Sequence, residues 1–272
     1  MASTRSSQEG DELVLKAEKE LKSWGVFGKE AGDTLHKTVL CHLKLESRFD
    51  AAQSYLDAAQ NYLKVSKKDT ITSLECAINE FSDMGKLDKV GKIEQQLAEL
   101  YEDEGSEEGN LEKAIQHYER AEHLYDSENM KSASNTCMQK AAHINAMVGN
   151  YEKALGSFEQ SARNALDDKL LKYGAKDSFF KAGLCGLCKM DNADEDLPEF
   201  KEKFESYKEE DVMFEDSYEC KLVDKLIIAI EGKNVKAFQM AIKEYDNIKR
   251  LDNWKTQILL KIKDKVGTTD LT

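Results

Sequence analysis

The sequence predicts an all-α fold in which helical hairpins stack as a tetratricopeptide-like α-solenoid, a twisted sheet of hairpins, followed by a C-terminal helical bundle. Three observations support this prediction. The 272 residues include a single proline, Pro198, so little interrupts helical segments. Apolar residues recur with the helical period along most of the chain. Related phrases recur about 40 residues apart, as in arrays of helix pairs.

Three segments show the helical period most clearly, at residues 48–63, 110–125 and 150–166. In each of them, apolar side chains follow a spacing of three or four residues, which gathers them on one face of an α-helix. No alternating pattern typical of a β-strand stands out. The same pattern along the chain predicts helices near residues 10–23, 33–45, 48–64, 68–84, 88–103, 110–127, 131–147, 150–166, 170–189, 197–207, 217–231, 234–247 and 251–266.

The repeated phrases indicate how the helices begin and end. Residues 110–115 and 150–155 are nearly identical, and residues 49–52 form a looser copy. The strict tetratricopeptide consensus is absent, so the array is expected to be only similar to that class. Polar residues that can cap a helix begin the copies: Asn110, Asn150 and Ser47. Glycines suited to the position after a helix end fall at Gly85, Gly109 and Gly149.

Charge is unevenly distributed along the chain. The formal net charge is −13, which disfavours nucleic-acid binding because neutralising phosphates requires a positive surface. The segment 191–216 holds 12 acidic and 3 basic residues. We therefore predict a boundary there and three parts: an N-terminal helix with a hydrophobic loop (1–28), the solenoid (29–190) and the C-terminal bundle (191–272).

Catalytic and metal-binding patterns are missing from the sequence. It contains no Gly-x-Ser-x-Gly, His-Glu-x-x-His or P-loop phrase. Cys185 and Cys188 form a CxxC pair, but they lie in an apolar helical pattern without the second pair of ligands that zinc requires. We interpret the six cysteines as reduced thiols. The expectation is a protein without enzymatic activity, cofactor or metal.

The N-terminus and the hydropathy of the chain bear on its location. The first residues are polar and acidic rather than those of a secretory signal. No apolar run approaches the roughly 20 residues that a membrane span requires. We therefore expect a cytoplasmic protein whose membrane contact is peripheral.

Several blocks of the sequence resemble one known family. Residues 170–185 read Leu-Leu-Lys-Tyr-Gly-Ala-Lys-Asp-Ser-Phe-Phe-Lys-Ala-Gly-Leu-Cys, and residues 244–263 contain the phrase Leu-Asp-Asn-Trp-Lys. Both blocks are similar to characteristic regions of the soluble NSF attachment proteins, as are residues 41–47, 98–102 and the acidic-leucine ending at 270–271. The likeness covers most of residues 38–272 in order, and it is strongest to alpha-type members of the plant kind.

The resemblance implies a function for the chain. Members of the family are adaptors in vesicle fusion and intracellular trafficking, including transport between the endoplasmic reticulum and the Golgi. Several copies surround a SNARE complex of syntaxin-type and related helices and recruit the hexameric ATPase N-ethylmaleimide-sensitive factor, which they stimulate. The ATPase, not the adaptor, hydrolyses ATP.

The resemblance also implies three sets of contact residues. Lysines on the concave face of the family contact SNAREs, and the matching positions are Lys86, Lys92, Lys140, Lys172 and Lys176. A hydrophobic loop contacts the membrane, and the matching positions are Trp24, Val26 and Phe27. Contacts with the ATPase match Asp191, Glu231, Asp270 and Leu271. Without the resemblance, the lysines are ordinary solvated charges, the aromatic residues pack the first helix onto the array, and the tail is a frayed end.

The sequence departs from the family pattern at several positions. Thr136 occupies a family lysine position, and Ile228 and Gly232 occupy positions of family acids, which predicts weaker contact with the ATPase. Residues 29–38 join the aromatic loop directly to the block at residues 41–45, whereas family members have a complete helical hairpin between them, so most of one hairpin is missing. The chain could therefore be a truncated variant that binds with reduced strength or competes with a full-length form.

A second interpretation remains open on the residues alone. A tetratricopeptide-like scaffold that captures peptides, such as a co-chaperone, also has a concave helical face. The C-terminal bundle with its Leu-Asp-Asn-Trp-Lys helix is the feature that separates the two interpretations.

Overall fold

The structure is a computed structural model that describes residues 12, 15, 28–44, 47–103, 105–168 and 171–266. The secondary structure of these residues is helical, and no β-strand occurs among them. A 3₁₀ turn at Lys172–Gly174 precedes the eighth helix. The helices are α1 (Gly28–Lys44), α2 (Arg48–Tyr62), α3 (Lys67–Asp83), α4 (Leu87–Glu102), α5 (Leu111–Ser127), α6 (Lys131–Met147), α7 (Tyr151–Leu166), α8 (Ala175–Lys189), α9 (Ala193–Glu210), α10 (Val212–Glu215), α11 (Tyr218–Glu231), α12 (Val235–Ile248) and α13 (Asn253–Val266).

Most predicted helices match the observed ones to within a few residues, and the exceptions have local causes. Helix α9 begins at residue 193 rather than 197 because the Asn192 side chain accepts a 3.1 Å hydrogen bond from the Asp194 amide. It continues through Pro198, and α10 was not predicted. The predicted helix 170–189 divides into the 3₁₀ turn and α8. The predicted helix 10–23 lies largely outside the described residues.

The chain divides into two compact units, residues 1–137 and 138–272. In the first unit, successive helices from α1 to α5 pack against one another in chain order, as stacked hairpins do. In the second unit, α7 packs on α8, and α8 contacts α9, α11 and α13. The predicted domain boundary after residue 190 stays a prediction. Residues from both sides of it contribute to one hydrophobic core in this unit.

Helix α1 runs through the segment that joins the aromatic loop to the rest of the chain. It begins at residue 28, five residues before the predicted start at 33. Gly32 lets α1 approach α2 closely, because a Cβ at this position would lie 2.5 Å from the Tyr62 ring. The Tyr62 hydroxyl donates a 2.5 Å hydrogen bond to Asp33 Oδ1, and Tyr62 packs in a small core with Leu35 and Ala58. The join is therefore a helix packed on its neighbour rather than a loop.

The predicted caps and glycines have mixed outcomes. Asn110 caps α5, because its Oδ1 accepts a 2.9 Å hydrogen bond from the Lys113 amide. Asn150 and Ser47 occupy cap positions but make no capping hydrogen bond with their side chains, so this part of the prediction is wrong. Gly85 and Gly149 have φ angles of +66° and +92°, as expected after a helix end, and Gly109 lacks a positive φ.

A substitution at Gly186 in α8 can test how tightly the core of the second unit is packed. A Cβ there would lie 2.4 Å from Cε2 of the buried Phe200 ring, so we expect Gly186→Ala to lower the free energy of unfolding by about 1–3 kcal/mol. Gly156 in α7 serves as the matched control, because a Cβ there would meet no neighbouring atom of the described residues within 4 Å. Gly156→Ala is expected to stabilise by up to about 1 kcal/mol, because alanine favours a helix interior. Urea unfolding measures both, and equal effects would contradict this packing.

Candidate functional site

Two of the five predicted SNARE-facing lysines lie in the first unit, on α4. Lys86 is the residue before the first turn of α4, directly after the left-handed Gly85, and its carbonyl accepts hydrogen bonds from Lys89 and Val90. The side chain of Lys86 is exposed, and so is that of Lys92 on the same helix. Val90 and Ile93 on this helix are buried, so the buried face of α4 fixes the orientation of the lysines.

The other three predicted lysines lie in the second unit. Lys140 is exposed on α6, and Lys172 is exposed in the 3₁₀ turn. Lys176 lies one turn further along, in the first turn of α8, and is half-buried. Thr136, at a family lysine position, lies one turn before Lys140, where its hydroxyl donates a 2.9 Å hydrogen bond to the Ser132 carbonyl.

Lys176 also has a structural neighbour. Burial raises the pKa of the Glu219 carboxyl, but a hydrogen bond from Lys249 and the charges of Lys249 and Lys176 outweigh it, so the pKa lies below its ordinary value. Tyr245 donates a 3.3 Å hydrogen bond to the same carboxylate. The charge of Lys176 therefore contributes to lowering the pKa of Glu219.

An aromatic cluster joins α13 to α6 and α7. The rings of His143, Phe158 and Trp254 meet edge to face, with centroid distances of 5.3 Å (His143–Phe158), 4.9 Å (His143–Trp254) and 5.8 Å (Phe158–Trp254). Trp254 Nε1 donates a 3.1 Å hydrogen bond to the His143 carbonyl. The apolar face of α13 lies against the core: Ile258, Leu259 and Ile262 are buried, and Leu251 and Trp254 pack against the same core. The helix with the Leu-Asp-Asn-Trp-Lys phrase is thus part of the second core.

His143 makes this cluster sensitive to pH. Burial lowers the pKa of His143 to about 4, the charges of Lys181 and Lys140 add to the effect, and Asp177 and Asp252 oppose it. The imidazole has a pKa of about 6.5 in an unfolded chain, so the unfolded state binds the proton more readily. The contribution of His143 to stability is therefore complete above about pH 6.5. It is lost toward pH 4 with a slope of up to about 1.4 kcal/mol per pH unit.

The variant His143→Phe isolates this contribution from that of the many carboxylates. Phenylalanine keeps an aromatic ring beside its two partners but takes up no proton. We expect the stability of the wild type relative to the variant to fall as the pH is lowered from 6.5 to 4.5, measured by urea unfolding at each pH. If the stabilities of the wild type and the variant change in parallel with pH, His143 has the same pKa in the folded and unfolded states, which would contradict this prediction.

Two of the predicted ATPase-contact residues lie near the start of α9 and the end of α11. Asp191 is exposed just before α9, and Glu231 is exposed at the end of α11. Lys201 of α9 and Glu231 form an ion pair with a 2.7 Å N–O distance. Lys233, after α11, pairs with Asp194 in the first turn of α9 at 2.9 Å. These two ion pairs place the start of α9 beside the end of α11.

The C-terminal helix ends at the same place. Near the end of α13, Lys265 Nζ donates hydrogen bonds to the carbonyls of Cys188 and Met190, and Met190 directly precedes Asp191. The last described turn of α13 therefore lies near Met190. Two predicted residues of the tail lie outside the described residues: Asp270 and Leu271.

The remaining sequence predictions concern the membrane and metals. The predicted membrane-contact residues also lie outside the described part of the chain: Trp24, Val26 and Phe27. Of the helices that the structure describes, none has the length and apolar character to cross a membrane. Cys185 and Cys188 are buried in α8, and burial raises the pKa of the Cys188 thiol to about 12.

Lys89 lies on α4 close to the predicted SNARE-facing Lys92, and it was not among the residues predicted from the sequence. It lies three residues before Lys92 on α4, and its ammonium group lies 5.9 Å and 5.7 Å from the ring centroids of Phe49 and Phe81. The spacing of three residues in a predicted helix was the available signal. The two aromatic partners come from other helices, and only the folded chain brings them to Lys89.

Comparison with known structures supports the fold class. A signal transduction ATPase with numerous domains from Pyrococcus horikoshii, which has a tetratricopeptide repeat sensor, superposes with a TM-score of 0.53. The sequences are 16% identical, and the match covers 98% of this chain and 39% of the archaeal chain. The likeness concerns the fold alone and confirms an all-α, tetratricopeptide-like solenoid.

Sequence comparison identifies the relatives of the chain. It is 39% identical over 246 residues to the alpha-soluble NSF attachment protein of Homo sapiens, covering 90% of this chain and 79% of the human one. It is 35% identical over 287 residues to that of Vitis vinifera, covering 97% and 96% of the two chains. A family model described as soluble NSF attachment protein matches residues 5–267. The chain therefore belongs to the soluble NSF attachment protein family.

Proposed function

We propose that the chain is a non-enzymatic adaptor that binds SNARE complexes and recruits the ATPase N-ethylmaleimide-sensitive factor to them. Membership of the soluble NSF attachment protein family over residues 5–267 carries this proposal. Relatives in this family are named attachment proteins for that ATPase and vesicular-fusion proteins. In this role the adaptor promotes SNARE disassembly during vesicle fusion and intracellular trafficking, and several copies act on one bundle.

Surface lysines provide the proposed SNARE contact. Lys86, Lys92, Lys140 and Lys172 are exposed, and Lys176 is half-buried. An exposed ion pair contributes less than about 1 kcal/mol, so the contact depends on several lysines acting together and weakens with salt. Such charges chiefly set the orientation and the rate of association.

One end of the second unit provides the proposed ATPase contact. Asp191 follows Met190, whose carbonyl accepts a hydrogen bond from Lys265 near the end of α13, and Glu231 pairs with Lys201 of α9. Glu231 is already paired with Lys201, and the exposed Ile228 contributes no charge, which supports a contact weaker than that of other members.

The proposal is tested by assembling the complex from purified parts. The chain, an assembled SNARE bundle and the ATPase with a non-hydrolysable ATP analogue are mixed and separated by size-exclusion chromatography. We expect all three to elute together, and a variant lacking residues 270–272 to keep the SNARE bundle while losing the ATPase. If the chain elutes alone, or binds the ATPase without the bundle, the proposed function is wrong.

We propose a peripheral membrane contact through Trp24, Val26 and Phe27. Tryptophan is favourable at the interface between lipid and water, and three large apolar residues lie close together here between polar flanks. We expect Trp24→Ser with Phe27→Ser to reduce flotation with liposomes several-fold, because two interfacial side chains are removed. Equal flotation of the wild type and the variant would contradict the membrane contact and assign the aromatic residues a packing role. As the folding control, the variant should show the same thermal unfolding as the wild type.

A further inference from the structure

A groove of about 210 Å³ lies between α12 and α13 in the second unit. Its floor is apolar, because Phe238 and Leu259 are buried and Ile242 and Leu251 pack against the same core. Leu260 lines its edge with 56% of its surface exposed. An apolar recess beside an exposed leucine favours an occupant that covers both from water.

The groove has a basic end. Lys263 lines it near the end of α13, on the same helix face as Leu259 and Leu260. Among the described residues that line the groove, none is acidic. An apolar recess with an ammonium group at one end suits an aliphatic side chain that lies next to a carboxylate.

The segment that follows α13 has this chemistry. Residues 267–272 read Gly-Thr-Thr-Asp-Leu-Thr and lie outside the described residues. Leu271 is their only large apolar residue, and Asp270 carries their only charged side chain. Gly267 directly follows the last residue of α13, and glycine is the residue that most readily lets a chain reverse after a helix.

The length of this segment allows Leu271 to reach the groove. Leu260 precedes Val266 by six residues, which corresponds to about 9 Å along the helix axis. The five residues from 267 to 271 span at most about 17 Å when extended, so the chain can turn back along α13. On that path Asp270 comes before Leu271 and lies nearer the end of α13, on the side of Lys263.

We propose that the groove between α12 and α13 binds the chain's own segment 267–272. The Leu271 side chain occupies the recess beside Ile242 and Leu260, and the Lys263 ammonium group donates a hydrogen bond to the Asp270 carboxylate. Burial of Leu271 supplies the attraction, and the ion pair orients the segment. A short tether gives the segment an effective concentration of about millimolar at the groove, so even a weak attraction keeps it docked in part of the molecules.

Docking of the segment regulates the proposed ATPase contact, a consequence that rests on the proposed function. The ATPase contact also uses Asp270 and Leu271, so the same segment cannot serve both sites at once. The apparent affinity for the ATPase falls in proportion to the fraction of molecules in which the segment is undocked.

Methyl NMR of the full chain tests the docking directly. The signals of Leu271 are those missing from the spectrum of Leu271→Ser, and the δ1 methyl signal of Ile242 is the one missing from that of Ile242→Val. We expect a nuclear Overhauser contact between Leu271 and Ile242 methyl groups, and a shift of the Ile242 signal in Leu271→Ser. The Ile115 methyl signals of the first unit serve as the control and should not shift. Both effects should persist on dilution, because the docking occurs within one chain.

Variants that fill the groove extend the test to the ATPase. Gln239→Trp and Thr256→Trp change exposed residues that line the groove, so they fill it from its edge and leave the core intact. We expect both to lose the Leu271–Ile242 contact and to bind the ATPase, with the SNARE bundle present, about twofold to tenfold more tightly. Met240→Trp is the control, since Met240 is exposed on α12 and does not line the groove. It should keep the contact and the affinity of the wild type.

A charge exchange tests the ion pair. Lys263→Glu is expected to weaken the Leu271–Ile242 contact at low salt because the new carboxylate repels Asp270, and adding Asp270→Lys is expected to restore it. Lys243→Glu, which changes an exposed lysine of α12 outside the lining, is the control for net charge. A double variant no better than Lys263→Glu alone would contradict the pairing of Asp270 with Lys263.

Three results would overturn the proposal. They are no contact between Leu271 and Ile242 in the full chain, an Ile242 signal that is unchanged in Leu271→Ser, and contacts that vanish on dilution, which would mean that a second copy fills the groove. Filling variants that lose the contact but keep the wild-type affinity for the ATPase would overturn the regulation. A chain that shows the contact but forms no complex with the SNARE bundle and the ATPase would contradict the adaptor function and leave the docking established. The two proposals therefore fail separately.

Discussion

Replacing Phe158 with alanine is expected to lower the free energy of unfolding of the second unit by about 3–5 kcal/mol. Phe158 is fully buried, contacts the His143 and Trp254 rings, and lies 5.7 Å from the ammonium group of Lys181. Its removal leaves a cavity where α6, α7 and α13 meet. The loss is also expected to loosen the helix that carries Trp254 and the tail.

Trp254 fluorescence during urea unfolding measures this effect. The chain has two tryptophans, so a Trp24→Phe background leaves Trp254 as the reporter. Tyr218→Ala is the control in the same unit, because Tyr218 is 56% exposed and its loss is expected to cost less than about 1 kcal/mol. A Phe158→Ala transition that coincides with the control would contradict the packing of α13 on α6 and α7.

Reversing two of the predicted SNARE-facing charges is expected to reduce affinity for the SNARE bundle about tenfold to a hundredfold at low salt. Lys92→Glu with Lys140→Glu replaces two attractions, each worth less than about 1 kcal/mol, with repulsions of similar size. The effect is expected to shrink as the salt concentration rises. Affinity is measured by titrating labelled SNARE bundle with each variant at two salt concentrations.

A pair of other lysines gives the matched control for net charge. Lys68 on α3 and Lys236 on α12 are exposed and belong to none of the predicted contacts. Lys68→Glu with Lys236→Glu changes the net charge equally and is expected to leave affinity within about threefold of the wild type. Equal losses in the two double variants would assign the effect to overall charge rather than to a defined face.

Much of the fold could be predicted from the sequence because the helices are long and amphipathic. Trp254, Ile258 and Ile262 follow the apolar period of the predicted helix 251–266, and they pack in a core. Most helix bounds follow from the same apolar period, since burial of one face decides where a helix persists. Pro198 lies inside α9 without ending it, and the helix begins one turn earlier than the apolar pattern indicates, where Asn192 accepts a hydrogen bond from the Asp194 amide.

Features that depend on contacts between helices could not be predicted. The early start of α1 depends on its close approach to Tyr62 at Gly32, which no local pattern contains. Surface lysines have no sequence signal that separates a contact residue from a solvated one, so the resemblance to the family alone selected Lys86 and Lys92. The groove between α12 and α13 joins residues from two helices and was not predicted at all.

The central claim is that the chain links SNARE bundles to a disassembly ATPase. A SNARE bundle labelled with a fluorescent donor and acceptor is mixed with the ATPase, ATP and the chain, and loss of energy transfer reports disassembly. The alpha-soluble NSF attachment protein of Vitis vinifera, similar over 97% of this chain, serves as the positive control. We expect disassembly that requires both ATP and the chain. An intact bundle in the presence of this chain, under conditions in which the control disassembles it, would contradict the account.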